Sequence, residues 1–241
     1  MKSDRRTFLV LSGLALLAAP PLAAQSRRRR KARSKPSPKP PPAPPLEEGV
    51  AAKLDFATGS LPGGATPVAG QWVVDAGAKR LKALPEPILD AWLEFGPEIR
   101  EKGATLVATG LAPGGGRLKS RIGAGLYGKN GFQIRLVPAR QEVELVRRGE
   151  VLLRKPFEID PEKLHSMELS VAGERQHWIV SGRVWTEEGQ RPDQTLFEHK
   201  VFAAELEFPL AGRSVLFATP FSGEPVAFAS AVVHYGSPAE G

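Results

Sequence analysis

The sequence predicts an all-β fold, a two-sheet antiparallel β-sandwich of jelly-roll size, from three observations. Apolar residues recur with a period of two from Ala51 to Tyr235, in runs of five to nine. Clusters of Gly, Pro, Asn and Asp separate the runs, and no long amphipathic helical stretch interrupts them. Strands are expected at 53–56, 71–75, 80–83, 89–95, 105–111, 118–126 and 132–137. They continue at 142–147, 151–155, 166–171, 176–184, 197–205, 215–219 and 225–233. The turns between them have suitable chemistry: Pro113-Gly114-Gly115-Gly116, Lys129-Asn130-Gly131, Arg148-Gly149 and Gly173-Glu174. Residues 161–164 make at most one helical turn. About a dozen strands joined by short turns fill two packed sheets.

The 241 residues are 41% hydrophobic and 24% charged, enough for a substantial core. The absence of cysteine excludes a disulfide scaffold, a thiolate metal site, a Cys nucleophile and a lipobox lipoprotein. The formal charge of +7 is unevenly placed. Residues 1–45 hold 11 of the 33 Lys and Arg and one of the 26 acids, so residues 46–241 carry 22 bases against 25 acids. The expected globular part is therefore mildly acidic.

Lys2, Arg5 and Arg6 precede an apolar run from Phe8 to Ala19, followed by Pro20-Pro21 and Leu22-Ala23-Ala24. This is the order of an export signal, with cleavage expected after Ala24. The run is shorter than the ~20 residues of a membrane-spanning helix, so no transmembrane span is expected after cleavage. Asp4-Arg5-Arg6-Thr7-Phe8-Leu9 resembles a twin-arginine signal, with an ordinary secretion signal as the alternative. The expected organisation is a signal at 1–24, a basic Pro-rich linker at 25–49, the sandwich at 50–236 and a tail at 237–241. Location is then periplasmic or extracellular, at the cell envelope. Export removes the nucleic-acid reading of Arg27, Arg28, Arg29, Arg30 and Lys31 and leaves an anionic envelope surface as their partner, or none.

Alternation assigns faces. Leu89, Ala91, Leu93 and Phe95 point to the core, and Asp90, Trp92 and Glu94 point away. The polar sides of later strands carry Arg121, then Gln133 and Arg135, then Glu142 and Glu144, and Glu168 between Met167 and Leu169. If these strands are neighbours, Asp90, Trp92, Glu94, Arg121, Gln133, Arg135, Glu144 and Glu168 form a mosaic suited to sugars. Carboxylates and guanidinium groups bond hydroxyls, and an aromatic plate stacks on a pyranose. A solvated face with cross-strand ion pairs has the same composition.

Catalysis is harder to assign. A glycosidase needs two carboxyls roughly 5–9.5 Å apart. Asp90 and Glu94, four residues apart on one strand, are about 13 Å apart. Glu94 with Glu142, Glu144 or Glu168 stays open. His165, His177, His199 and His234 lack metal-ligand spacing, so neither a metal nor another cofactor is expected. No Gly-x-Ser-x-Gly elbow occurs, and Gly123-Ala124-Gly125 lacks the context of a dinucleotide loop. Trp72 and Trp178 read as packing residues, Trp92 and Trp185 as exposed.

Several segments resemble one group of exported bacterial domains. They are Leu54-Asp55-Phe56 through Gly63, Gly70-Gln71-Trp72-Val73-Val74-Asp75, Trp92-Leu93-Glu94-Phe95, the stretch from His165 to Trp178, and Phe217-Ala218-Thr219-Pro220-Phe221-Ser222-Gly223-Glu224 with Ala227-Phe228 to His234. Together they resemble the concanavalin A-like, laminin-G-like jelly roll of the 3-keto-disaccharide hydrolase type, over about residues 50–236. Gly96 stands where that group has Arg, and Leu164 where it has Trp. The resemblance implies a sandwich that binds, or in some relatives cleaves, glycosides outside the cytoplasm. It supplies no catalytic residue. The expectation is an exported glycan-binding protein with carbohydrate as its partner. The alternatives are a hydrolase or lyase acting on 3-keto-disaccharides or related sugars, and a structural envelope module that binds proteins.

Overall fold

A computed structural model describes residues 49–86, 90–114, 118–174, 176–221 and 223–235. The expected signal, almost all of the linker, the tail and Leu89 lie outside the described residues. Fifteen strands fill the described chain. They are β1 (Val50–Leu54), β2 (Thr66–Ala69), β3 (Trp72–Asp75), β4 (Arg80–Ala83), β5 (Ala91–Arg100), β6 (Ala104–Leu111), β7 (Arg121–Leu126) and β8 (Phe132–Val137). There follow β9 (Glu142–Arg147), β10 (Glu150–Pro156), β11 (His165–Gly173), β12 (His177–Thr186), β13 (Phe197–Phe202), β14 (Ala211–Thr219) and β15 (Val226–Tyr235).

Every pairing is antiparallel. One sheet runs β13-β12-β11-β6-β15-β4-β3, with β1 also on β15. The other runs β10-β9-β8-β7-β14-β5-β2. The all-β sandwich expected from the alternation is the fold observed. The sequence reading missed β2, whose four residues include Pro67 and are mostly exposed, so no alternation marks it. It also ran the strand at 197–205 too far, since residues 203–205 form a 3-10 turn.

The period of two places the core. Ala91, Leu93 and Phe95 of β5, Ile122 and Ala124 of β7, Phe132, Ile134 and Leu136 of β8, and Leu216 and Ala218 of β14 face inward and are buried. They belong to one cluster with Leu106 and Ala108 of β6, Met167 and Leu169 of β11, and Phe228 and Ala231 of β15. Each fully buried large side chain contributes about 1.5–3 kcal/mol. With these positions committed inward, the alternate residues must face outward.

Candidate functional site

On the outer face of the seven-stranded sheet, register aligns one row: Glu144 of β9 opposite Arg135 of β8, Arg135 opposite Gly123 of β7, Gly123 opposite Phe217 of β14, and Phe217 opposite Trp92 of β5. The next row is Val146, Gln133, Gly125, Val215 and Glu94. Seven of the eight expected site residues thus share one face. Glu168 does not. It lies on β11, in the other sheet, because Met167 and Leu169 beside it are core residues there.

Gly123 shapes the centre of the face. A Cβ there would stand 2.7 Å from the Ile134 carbonyl oxygen and 3.0 Å from Arg135 Cγ. Without it, the Arg135 side chain crosses β7, and its guanidinium carbon sits 4.2 Å from the Phe217 ring centre and 6.0 Å from that of Trp92. Such stacking contributes roughly 0.5–2 kcal/mol. Gln133 Oε1 accepts from Arg135 Nε at 3.1 Å and Nη2 at 2.6 Å, fixing the plane of the fork. Burial pulls the Arg135 pKa down, the Asp90 and Glu144 carboxylates oppose that, and Arg121 adds to it.

Trp92 is not the exposed plate that alternation suggested. It is 9% exposed, packed in an outer cluster with Val215, Phe217 and Ala69, its ring 5.0 Å from Phe217 in an edge-on arrangement. Alternation gives the direction of a side chain and not what lies on top of it; here Arg135 and Phe217 cover the indole. The exposed aromatic residue nearby is Phe221, 42% exposed, with the Arg121 guanidinium 5.6 Å from its centre. Trp185 is half-buried, while Trp72 and Trp178 pack as expected.

The carboxylates differ in availability. Asp90 is exposed, and its Oδ1 accepts from the Thr219 hydroxyl at 2.9 Å. Glu144 lies 3.2 Å from Arg154 and 3.4 Å from Arg140, while Glu142 is 3.2 Å from Arg140. Glu94 is 3.9 Å from Arg213, whose Nε also donates to the Gly96 carbonyl at 2.8 Å. Four sheet positions separate β5 from β9, roughly 19 Å at ~4.8 Å per strand. Glu94 therefore does not form the close carboxyl pair of a glycosidase with Glu142 or Glu144, and Glu168 sits on the opposite face of the sandwich.

The sequence reading missed Phe217, Thr219, Phe221 and the role of Gly123. The Gly-x-Gly of β7 was a usable sign, since glycine inside a strand marks close approach of another group. Among the described residues, no cluster of three or more His, Asp or Glu side chains has the arrangement of a metal site, and no helix is long and apolar enough to cross a membrane.

No family model matches the chain, and no curated protein sequence does. Solved structures do match. The Emp47p carbohydrate recognition domain superposes with a TM-score of 0.54 at 10% identity, over 80% of this chain and 100% of that one. A Lotus tetragonolobus seed lectin gives 0.52 at 8% identity, over 78% and 100%. The metal-free Emp46p carbohydrate recognition domain gives 0.51 at 13%, over 72% and 89%. The chain shares the two-sheet jelly-roll fold of these structures. At these identities the likeness establishes the concanavalin A-like sandwich, and the site must be argued from its own residues.

Proposed function

We propose that this lectin-type jelly roll binds glycans on the outer face of its seven-stranded sheet. The observation that carries the reading is Arg135, laid across bare Gly123 onto Phe217 and Trp92 and held by Gln133. A stacked, oriented guanidinium is pre-organised, so little side-chain freedom is lost when it donates to a ligand. Asp90 beside it offers a carboxylate to sugar hydroxyls, and the exposed ring of Phe221 offers an apolar surface. That three structural neighbours are carbohydrate recognition domains or a seed lectin supports the same reading.

Binding is favoured over hydrolysis because the candidate carboxylates lie far apart or are engaged by arginines. The 3-keto-disaccharide hydrolase resemblance then supports descent from a glycoside-handling ancestor more than retained activity. The export-type head supports an envelope location, with Arg27, Arg28, Arg29, Arg30 and Lys31 adding attraction to anionic surfaces. A glycan array with the full chain at physiological salt tests the reading. Retention on at least one glycan is expected, weakened at least tenfold in Asp90→Ala. Retention on none overturns it.

A further inference from the structure

We propose that this site selects carboxylated sugars: a hexuronic acid whose carboxylate is gripped by Arg135 and Arg121 while its hydroxyls reach Asp90. The inference rests on the glycan-binding reading and names its ligand class.

Its basis is how cations are distributed on one face. Arg140, Arg154 and Arg213 each lie within 4 Å of a glutamate of the same sheet. Arg121 and Arg135 do not: among the described residues, neither has a carboxylate within 4 Å, and each rests on an aromatic ring. They are diagonal neighbours, since Arg121 lies two residues from Gly123 on β7 and Gly123 is opposite Arg135. Arg135 is half-buried, and its one side-chain acceptor among the described residues is the neutral Gln133 oxygen. A partly desolvated cation whose nearest carboxylates, Asp90 and Glu144, act on it only from a distance costs free energy that an anion in direct contact recovers. Gln133 takes the Nε–Nη2 edge of Arg135, and the remaining Nη1–Nη2 edge matches a carboxylate, with charge-assisted bonds about twice as strong as neutral ones.

The negative groups narrow the choice further. Asp90 and Glu144 are close enough to act on the Arg135 charge. They disfavour a dianion such as a phosphate monoester and tolerate a single negative charge. Asp90, already accepting from Thr219, has capacity left for a donor. One carboxylate flanked by hydroxyl donors describes a uronic acid.

The test is isothermal titration of the full chain at physiological salt. Short oligomers of galacturonate and of glucuronate are compared with their methyl esters, which keep the shape and lose the charge. The acids are expected to bind at least tenfold tighter than the esters. Arg121→Gln is expected to weaken acid binding about fivefold and Arg135→Gln at least tenfold, with thermal melts reporting that both variants fold. Arg121→Gln serves as the readout if Arg135→Gln does not fold. Esters or neutral glycans binding as tightly as the acids overturn the selectivity and leave the glycan reading standing. Acid binding unchanged in the folded variants overturns the arginine pair as its seat. No retention of any glycan overturns the underlying reading itself.

Discussion

The two outer faces of this sandwich use the same residue types to opposite ends. On the eight-stranded sheet, Glu168 is buried and held from two sides, by Arg183 at 2.5 Å and by Arg191 at 2.6 and 2.9 Å. Burial raises its pKa, yet the two arginines outweigh that and the net shift is downward. Around it, Thr105 bonds Ser170 at 2.9 Å and Thr109 bonds Ser166 at 2.8 Å. The carboxylate and the four hydroxyls there are matched within the fold, although Arg183 Nε has no hydrogen-bond partner among the described residues. On the seven-stranded sheet, the central arginines rest on rings and lack such partners among the described residues. Arg and Glu on an outward face do not by themselves mark a site; the difference lies in whether the chain already supplies the partner.

The contrast can be broken most forcefully at Glu168. Removing it in Glu168→Ala leaves Arg183 and Arg191 facing each other, 16% and 45% exposed in their side chains. Loss of a buried partner costs about 3–5 kcal/mol, and solvent around Arg191 places this case near 2–3 kcal/mol. Denaturant unfolding measures it, and glycan retention at temperatures where the variant is folded should not change. A loss of retention instead would put the site on the wrong sheet. Next in size is Gly123→Ala, where the new methyl meets the Ile134 carbonyl. A cost of about 1–3 kcal/mol is expected, together with weaker glycan retention, because Arg135 loses its path across β7. Unfolding and retention measured on the same sample would separate the two effects.

The smallest effect is at the core end of β11. His165 is 1% exposed, with Nδ1 3.0 Å from the Lys163 carbonyl and Nε2 without a hydrogen-bond partner among the described residues. Burial pulls its pKa below the ordinary value, so the unfolded chain binds the proton more readily. Its contribution to stability is then complete above about pH 6.5 and declines as pH falls from there toward the folded-state value. A small drop in Tm between pH 7.5 and 5.5 should flatten in His165→Phe. An unchanged slope would mean that other groups set the acid sensitivity.

How much was legible follows from what each residue pattern encodes. Alternation from Ala91 to Phe95 and from Phe132 to Val137 stated which side chains face the core, because burial alone decides that. It said nothing of strand order. Glu168 and Glu144 have the same local pattern, yet they end on opposite faces through pairings made far away in the chain. Phe217 became part of the site because β14 inserts between β7 and β5, a non-local event with no mark in residues 215–219. Trp92 faced outward as read, and was covered by a side chain from three strands away.

One pairing also bears on how such a domain can be joined to others. Val50 of β1 lies opposite His234 of β15, so the first and last strands are side by side. The described polypeptide is nearly a closed ring, and the order in which it visits its strands has no privileged starting point. Domains whose ends meet tolerate circular permutation and insertion into a host loop. The adjacency of β1 and β15 therefore predicts that the described sandwich tolerates insertion into a host loop through a single opening.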